Sequence, residues 1–126
     1  DAALVLCVEG FASPFNARAV RASAGSVFRQ PMRRVPADHV ARLQQLLPNH
    51  HIVGAAATRG TDIQLKDFSS DENLCVVLGN EKQGILPLMT SSLHERITIP
   101  LNDNVESLNV ASAASIICYE WWRARK

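Results

Sequence analysis

Cysteine is scarce in this 126-residue chain: Cys7, Cys75 and Cys118 stand far apart, each in an apolar run. An odd, sparse count excludes a disulfide scaffold and reads as buried free thiols in a reducing compartment, the cytoplasm. No Cys and His spacing resembles a zinc site, so no metal is expected. Long apolar runs are missing too. None reaches the roughly 18 residues of a membrane-spanning helix, and no basic segment leads into an apolar one as in a secretion signal. Neither sign of charge dominates: 13 Lys and Arg face 12 Asp and Glu, a net charge of +1. Gly-x-Gly-x-x-Gly and a phosphate loop ending in Gly-Lys-Ser/Thr are both absent, which removes the motifs of a generic nucleotide-binding domain. What is present is 47% hydrophobic and 20% charged residues. That is the composition of one globular domain, residues 1–126, with a core of its own.

The balanced charge is unevenly spread. Residues 1–35 hold Arg18, Arg21, Arg29, Arg33 and Arg34 against Asp1 and Glu9, a local +3, whereas residues 61–107 carry eight acids and three bases. Arginine suits phosphate and guanine contact better than lysine does, although a solvated face has the same pattern.

Apolar and turn patterning predicts alternating strands and helices. Residues 2–8 read as a strand buried on both sides. Asn16 is placed to cap a helix over 17–24 that stops at Gly25. Residues 27–32 read as a short extended piece. A helix follows Pro36, with Val40, Leu43, Leu46 and Leu47 at helical spacing up to Pro48. Strands are predicted at 51–57, 74–78 and 96–99, and a short helix at 84–93. Residues 59–71 read as a loop anchored by Leu65 and Phe68. A last helix, with Ser107 as a credible cap, runs from Leu108 to about Arg125, roughly 27 Å. The pattern predicts an α/β domain with a mostly parallel sheet flanked by helices.

Two segments stand apart from this scaffold. In the first, the strand ending at Leu78 runs into Gly79-Asn80-Glu81-Lys82-Gln83-Gly84. Glycine lets backbone pass close to a ligand or adopt positive φ, and the loop follows a strand's carboxyl end, where open α/β sheets bind ligands. Taken alone it is also an ordinary strand-to-helix turn. In the second, a strand ends at Ile99-Pro100, a polar loop from Leu101 follows, and Ser107-Leu108-Asn109 leads into an alanine-rich helix. Asn109 is a poor helix-interior residue, beside small residues that permit close approach.

Together the two segments resemble the SpoU (TrmH-like) branch of the SPOUT methyltransferases. Residues 77–84 fit the family's second motif. Residues 99–113 fit its third, with Ala111 where a serine is usual. The stretch from Arg21 to Pro31 resembles a helix and strand seen especially in ribosomal RNA members. The resemblance covers essentially the whole chain.

The resemblance implies a C-terminal deep trefoil knot and methyl transfer from S-adenosyl-L-methionine to a ribose 2′-hydroxyl of RNA, with ribosomal RNA favoured. It implies that Ala55, Ala56, Leu78, Gly79, Asn80, Gly84, Ile99, Leu101, Leu108 and Asn109 line the cofactor pocket. Glu81, Ser107 and Asn109 would be the polar catalytic set, orienting an arginine and the ribose, and Arg21 and Arg29 would contact RNA. A homodimer through the C-terminal helix is implied as well. The family's first motif, which carries that arginine, belongs ahead of the strand opening this chain. The 126 residues are therefore expected to be an N-terminally incomplete excerpt, impaired as a catalyst when taken alone. The alternatives are a catalytically inactive cofactor-binding, RNA-binding or dimerisation module of the same fold, or a transfer RNA methyltransferase.

Overall fold

The computed structural model describes residues 2–70, 73–80 and 83–126. The chain forms two compact units, Asp1–Ala41 and Arg42–Lys126.

In the first unit, β1 (Val5–Val8) pairs in parallel with β2 (Met32–Val35), Val5 opposite Met32 and Val8 opposite Val35. All four β1 residues are half-buried rather than covered on both faces, because a two-stranded sheet has little to cover them with. Helix α1 (Ala17–Ala22) connects the strands. Its predicted cap holds: Asn16 Oδ1 accepts the Arg18 and Ala19 amides at 2.9 and 3.0 Å. The extended piece predicted at 27–32 is instead a 3-10 turn, Ser26–Phe28. Strand β2 begins only after Pro31, whose carbonyl accepts the Val5 amide at 2.9 Å. Helix α2 (Ala37–Val40) closes the unit. The single helix predicted from Pro36 to Pro48 is thus two, the second being α3 (Leu43–Leu46), with Arg42 outside helical geometry at φ −116°, ψ 25°.

The second unit is built on a fully parallel sheet in the order β4-β6-β3-β5, from β3 (His51–Ala55), β4 (Thr61–Asp62), β5 (Leu74–Val77) and β6 (Glu95–Thr98). Strand β6, last in sequence, lies between β3 and β4, which only residues 56–60 connect. Strand β4 falls inside the predicted loop. Of that loop's two predicted anchors Phe68 is buried, but Leu65 is exposed and Ile63 takes its place. The helix predicted at 84–93 is a 3-10 stretch, Pro87–Ser92. Gly84 at φ +67° and the extended Leu86 turn the chain first, and Pro87 has no amide to continue a helix backward.

Helix α4 (Val110–Arg123) packs across the sheet. Its Ile117 joins Val53, Ile63, Phe68 and Ile97 in the core, with Ile99 and Trp121 against them. At 14 residues it is about 21 Å long, shorter than expected. The cysteines depart from expectation: Cys7 and Cys75 are half-buried and Cys118 is exposed on α4. No helix among the described residues is long and apolar enough to cross a membrane.

Candidate active site at three strand ends

Parallel strands in register end together. Gly54 of β3 lies opposite Val77 of β5, and Ala55 lies opposite Ile97 of β6. The Ala56 amide extends the ladder by donating to the Ile97 carbonyl at 2.9 Å. Ala55 and Ala56, Leu78 and Gly79, and Ile99 therefore leave three adjacent strands at one edge. Three predicted wall segments that are distant in sequence meet there. Leu78 is 41% exposed, although it follows a buried valine, and Ile99 is half-buried. Leu101 and Leu108, also half-buried, follow in the segment between β6 and Val110.

The loop after β5 is closed on itself. Asn80 donates to the Gly84 carbonyl at 2.9 Å and Gly84 donates back to Asn80 at 2.7 Å. A β-carbon on Gly79 would collide with the Gly84 carbonyl carbon and the Ile85 nitrogen, and would lie 2.6 Å from the Gly84 oxygen. Glycine is thus required at position 79 by its own loop, whatever lies against that loop. Gly84 sits at φ +67° with open space where a β-carbon would stand. Glu81 lies outside the described residues.

Helix α4 begins with a correction. The cap is Asn109, whose Oδ1 accepts the Ala111 amide at 2.9 Å, and not Ser107, which is exposed in the preceding segment. With Oδ1 committed to the helix, the Asn109 side chain has its amide N–H groups left to offer a ligand. Arg21 and Arg29 belong to the first unit, and both are exposed.

Motif reading missed Thr98. Its hydroxyl, at the carboxyl end of β6, is buried without a hydrogen-bond partner among the described residues, as is the Trp121 indole nitrogen on α4. A threonine just ahead of Ile-Pro at a strand end is the only signal the sequence carries for it. Charged contacts gather instead at the other end of the sheet. There Glu95 accepts from His51 at 2.8 Å and Lys66 at 2.6 Å, and His51 stacks on His94. Partial burial raises the Glu95 pKa, but the hydrogen bonds from Lys66 and His51 outweigh it and hold the carboxyl below its ordinary value. Among the described residues no group of three or more His, Cys, Asp or Glu is arranged to hold a metal ion. A recess of about 250 Å³ lies in the first unit, walled by Cys7, Glu9, Gly10, Phe11, Pro14 and Arg34. It includes none of the predicted site residues.

Comparison with known proteins places the chain in a family. A profile described as the SpoU rRNA Methylase family matches residues 1–119. A Staphylococcus haemolyticus protein named for the TrmH family of tRNA/rRNA methyltransferases is 35% identical over 107 residues, which cover 83% of this chain and 41% of the relative. The chain thus spans about two fifths of that relative's length. An AdoMet-bound rRNA methyltransferase from Sinorhizobium meliloti superposes with a TM-score of 0.86 at 27% identity, over 97% of this chain and 46% of the other. The SpoU methyltransferase AviRb from Streptomyces viridochromogenes, in complex with AdoMet, gives 0.82 at 27% identity, over 97% and 49%. With its three strand ends in register and its Gly79–Gly84 loop closed, the chain belongs to the SpoU methylase family.

Proposed function

We propose that the protein carrying this chain is an RNA methyltransferase that binds S-adenosyl-L-methionine at the three strand ends and methylates a ribose 2′-hydroxyl, with ribosomal RNA as its substrate. The observation that carries this reading is the register that ends β3, β5 and β6 together, so that Ala56, Leu78 and Ile99 leave the sheet at one edge, beside a loop too tight to admit a side chain at position 79. The residues fit the cofactor. Exposed Leu78 with half-buried Ile99, Leu101 and Leu108 offers apolar surface to an adenine ring, and the turns at Ala55–Ala56 and Asn80–Gly84 bring backbone groups alongside. When bound, the cofactor supplies an activated methyl group.

The chain's own task is positioning. A ribose hydroxyl is a weak nucleophile: its proton must pass to a base and its oxygen must lie in line with the methyl–sulfur bond that breaks, so positioning is a large part of the task. Asn109, fixed by its cap bond, presents its amide N–H groups as donors that orient the ribose. Ser107 and Glu81 complete the orienting set, and neither is assigned as the base, since an ordinary carboxylate is a poor base for a hydroxyl. Exposed Arg21 and Arg29 hold phosphates of the RNA.

Two assembly features belong to the same proposal. The chain is threaded as a deep trefoil knot, a reading supported by β6 lying between two strands joined only by residues 56–60. The protein is a homodimer through α4, a reading supported by Ile116, Tyr119 and Trp122, which are exposed three residues apart along that helix.

Calorimetric titration with S-adenosylhomocysteine tests the pocket without catalysis. One-site binding is expected, weakened at least tenfold in Leu78→Lys, which adds charge at an exposed position. Equal affinity in the two proteins would remove the strand ends as the cofactor site. Methyl transfer to ribosomal and transfer RNA, read as alkali-resistant dinucleotides, tests the acceptor. Label confined to bases would overturn the ribose assignment.

A further inference from the structure

The first unit exposes two phenyl rings that its own core does not need. Phe15, in the loop ahead of α1, and Phe28, in the 3-10 turn after it, stack with centroids 6.3 Å apart and planes 26° from parallel. Phe15 is 55% exposed and Phe28 68%. A scattered apolar side chain at a surface is ordinary, but two stacked aromatic rings facing water form a patch that calls for an occupant. The chemistry around them narrows the choice. Arg18 lies in the first turn of α1, and Arg29 directly follows Phe28. None of Arg18, Arg21, Arg29, Arg33 and Arg34 forms an ion pair with a carboxylate among the described residues, and residues 1–41 contain no lysine.

We propose that Phe28, backed by Phe15, is a stacking platform for an unpaired base of the RNA substrate, with Arg18 and Arg29 taking the flanking phosphates. The proposal rests on the RNA reading above and adds to it a site for single-stranded substrate. Single-stranded nucleic acid is held by this combination of an aromatic face and a basic track, since every base has a π face and every nucleotide a charge. Arginine serves both needs, pairing with phosphate through its fork and stacking through its plane. An apolar protein partner would have to bury the same uncompensated guanidinium groups, at the cost of stripping their water. The more exposed ring is the one that meets the base. Phe15 restricts its partner's rotation and so lowers the entropy lost on binding.

The test is fluorescence anisotropy of the protein with an end-labelled, unstructured RNA oligonucleotide at fixed salt, repeated with the same strand in a duplex. Phe28→Ala and the milder Phe28→Leu, which keeps apolar bulk and removes the π face, should each weaken single-strand binding roughly 5- to 100-fold, with the salt dependence unchanged. Duplex binding should be unaltered. Arg29→Ala should instead lower the salt slope by about 0.7, the share of one single-strand phosphate. If wild type binds and Phe28→Ala binds equally well, the platform is refuted and the RNA reading stands. If Phe28→Leu retains wild-type affinity, the contact is apolar and stacking is refuted. Failure of wild type to bind any RNA overturns both readings. A change in molar mass of Phe28→Ala by light scattering would make a second copy the occupant and overturn the proposal.

Discussion

Replacing Gly79 by alanine puts one methyl group where the structure has room for none. The added carbon would stand 2.6 Å from the Gly84 carbonyl oxygen and closer still to the backbone on either side of it. No side chain can rotate away, because the obstacle is the loop's own main chain. The loop must therefore open, and the reciprocal bonds between Asn80 and Gly84, at 2.9 and 2.7 Å, are what hold it shut. At about 1 kcal/mol net for each bond the loss is about 2 kcal/mol. For a domain of this size that corresponds to roughly 6–10 °C in melting temperature. Gly84→Ala is the control. Position 84 has free space but a φ of +67°, so alanine there costs about 1–2 kcal/mol of left-handed backbone without a collision. Asparagine tolerates that conformation and should recover part of the loss at 84, and none at 79. Thermal unfolding by circular dichroism, with hydrogen exchange at the amides of residues 80 and 84, reads both effects. A Gly79→Ala protein that melts within about 1 °C of wild type, with both amides still protected, would refute the account.

Other consequences are as direct. Asn109→Ala should cost about 1 kcal/mol through the lost cap, while Ser107→Ala should stay within about 0.5 kcal/mol, reversing the order expected if Ser107 were the cap; urea unfolding decides. Glu95 has a folded pKa below its ordinary 4.5, so its contribution is complete above that pH and is lost as pH falls through the folded value. Glu95→Gln should accordingly be less stable than wild type by about 1 kcal/mol at pH 7, with a gap that narrows below pH 4.5; a gap independent of pH would contradict the pairing with Lys66 and His51. Exposed Cys118 should react first with a thiol reagent in the native protein. Cys75, whose pKa is pushed up by burial, should react far more slowly; equal rates would mean that its strand opens freely.

What the sequence made legible follows from the range of the forces involved. Strands β3 and β5 are near-continuous apolar runs, and such runs announce a buried strand whatever surrounds them. Asn16 and α1 were equally plain, since a cap bonds within three residues. Strand β2 was hidden because Arg33 and Arg34 occupy its middle and face outward; only its ladder with β1, about 27 residues away, makes it a strand. Strand β4 is a two-residue addition at the sheet edge, too short to carry any period. The helix between Pro36 and Pro48 misled differently. Val40 and Leu43 are buried as their spacing implies, yet Leu46 is 57% exposed and the chain breaks at Arg42. A span boxed between two prolines has few residues in which to recover the cost of a helical nucleus. The wall segments of the site were legible as strand-end loops, but the register that brings them together, and the insertion of β6 between β3 and β4, are long-range facts.

The residues that the motifs single out also hold the fold. Gly79 looks like a ligand-contact glycine, yet its own loop excludes a side chain. Asn109 looks like a catalytic amide, yet its oxygen caps α4. Loss of activity in Gly79→Arg or Asn109→Ala would therefore not distinguish chemistry from folding. Asn109→Asp separates the two. A carboxylate accepts the Ala111 amide as well as Oδ1 does, and its charge favours a helix N-terminus, so stability should be kept. It has no N–H to donate at neutral pH, so the orienting contact to the ribose is lost. The expected result is a protein with the wild-type unfolding midpoint that transfers methyl groups at least tenfold more slowly, a larger change than any in its S-adenosylhomocysteine affinity. If Asn109→Asp turns over at the wild-type rate, the side chain serves α4 alone, and the orientation of the ribose must come from elsewhere in the protein.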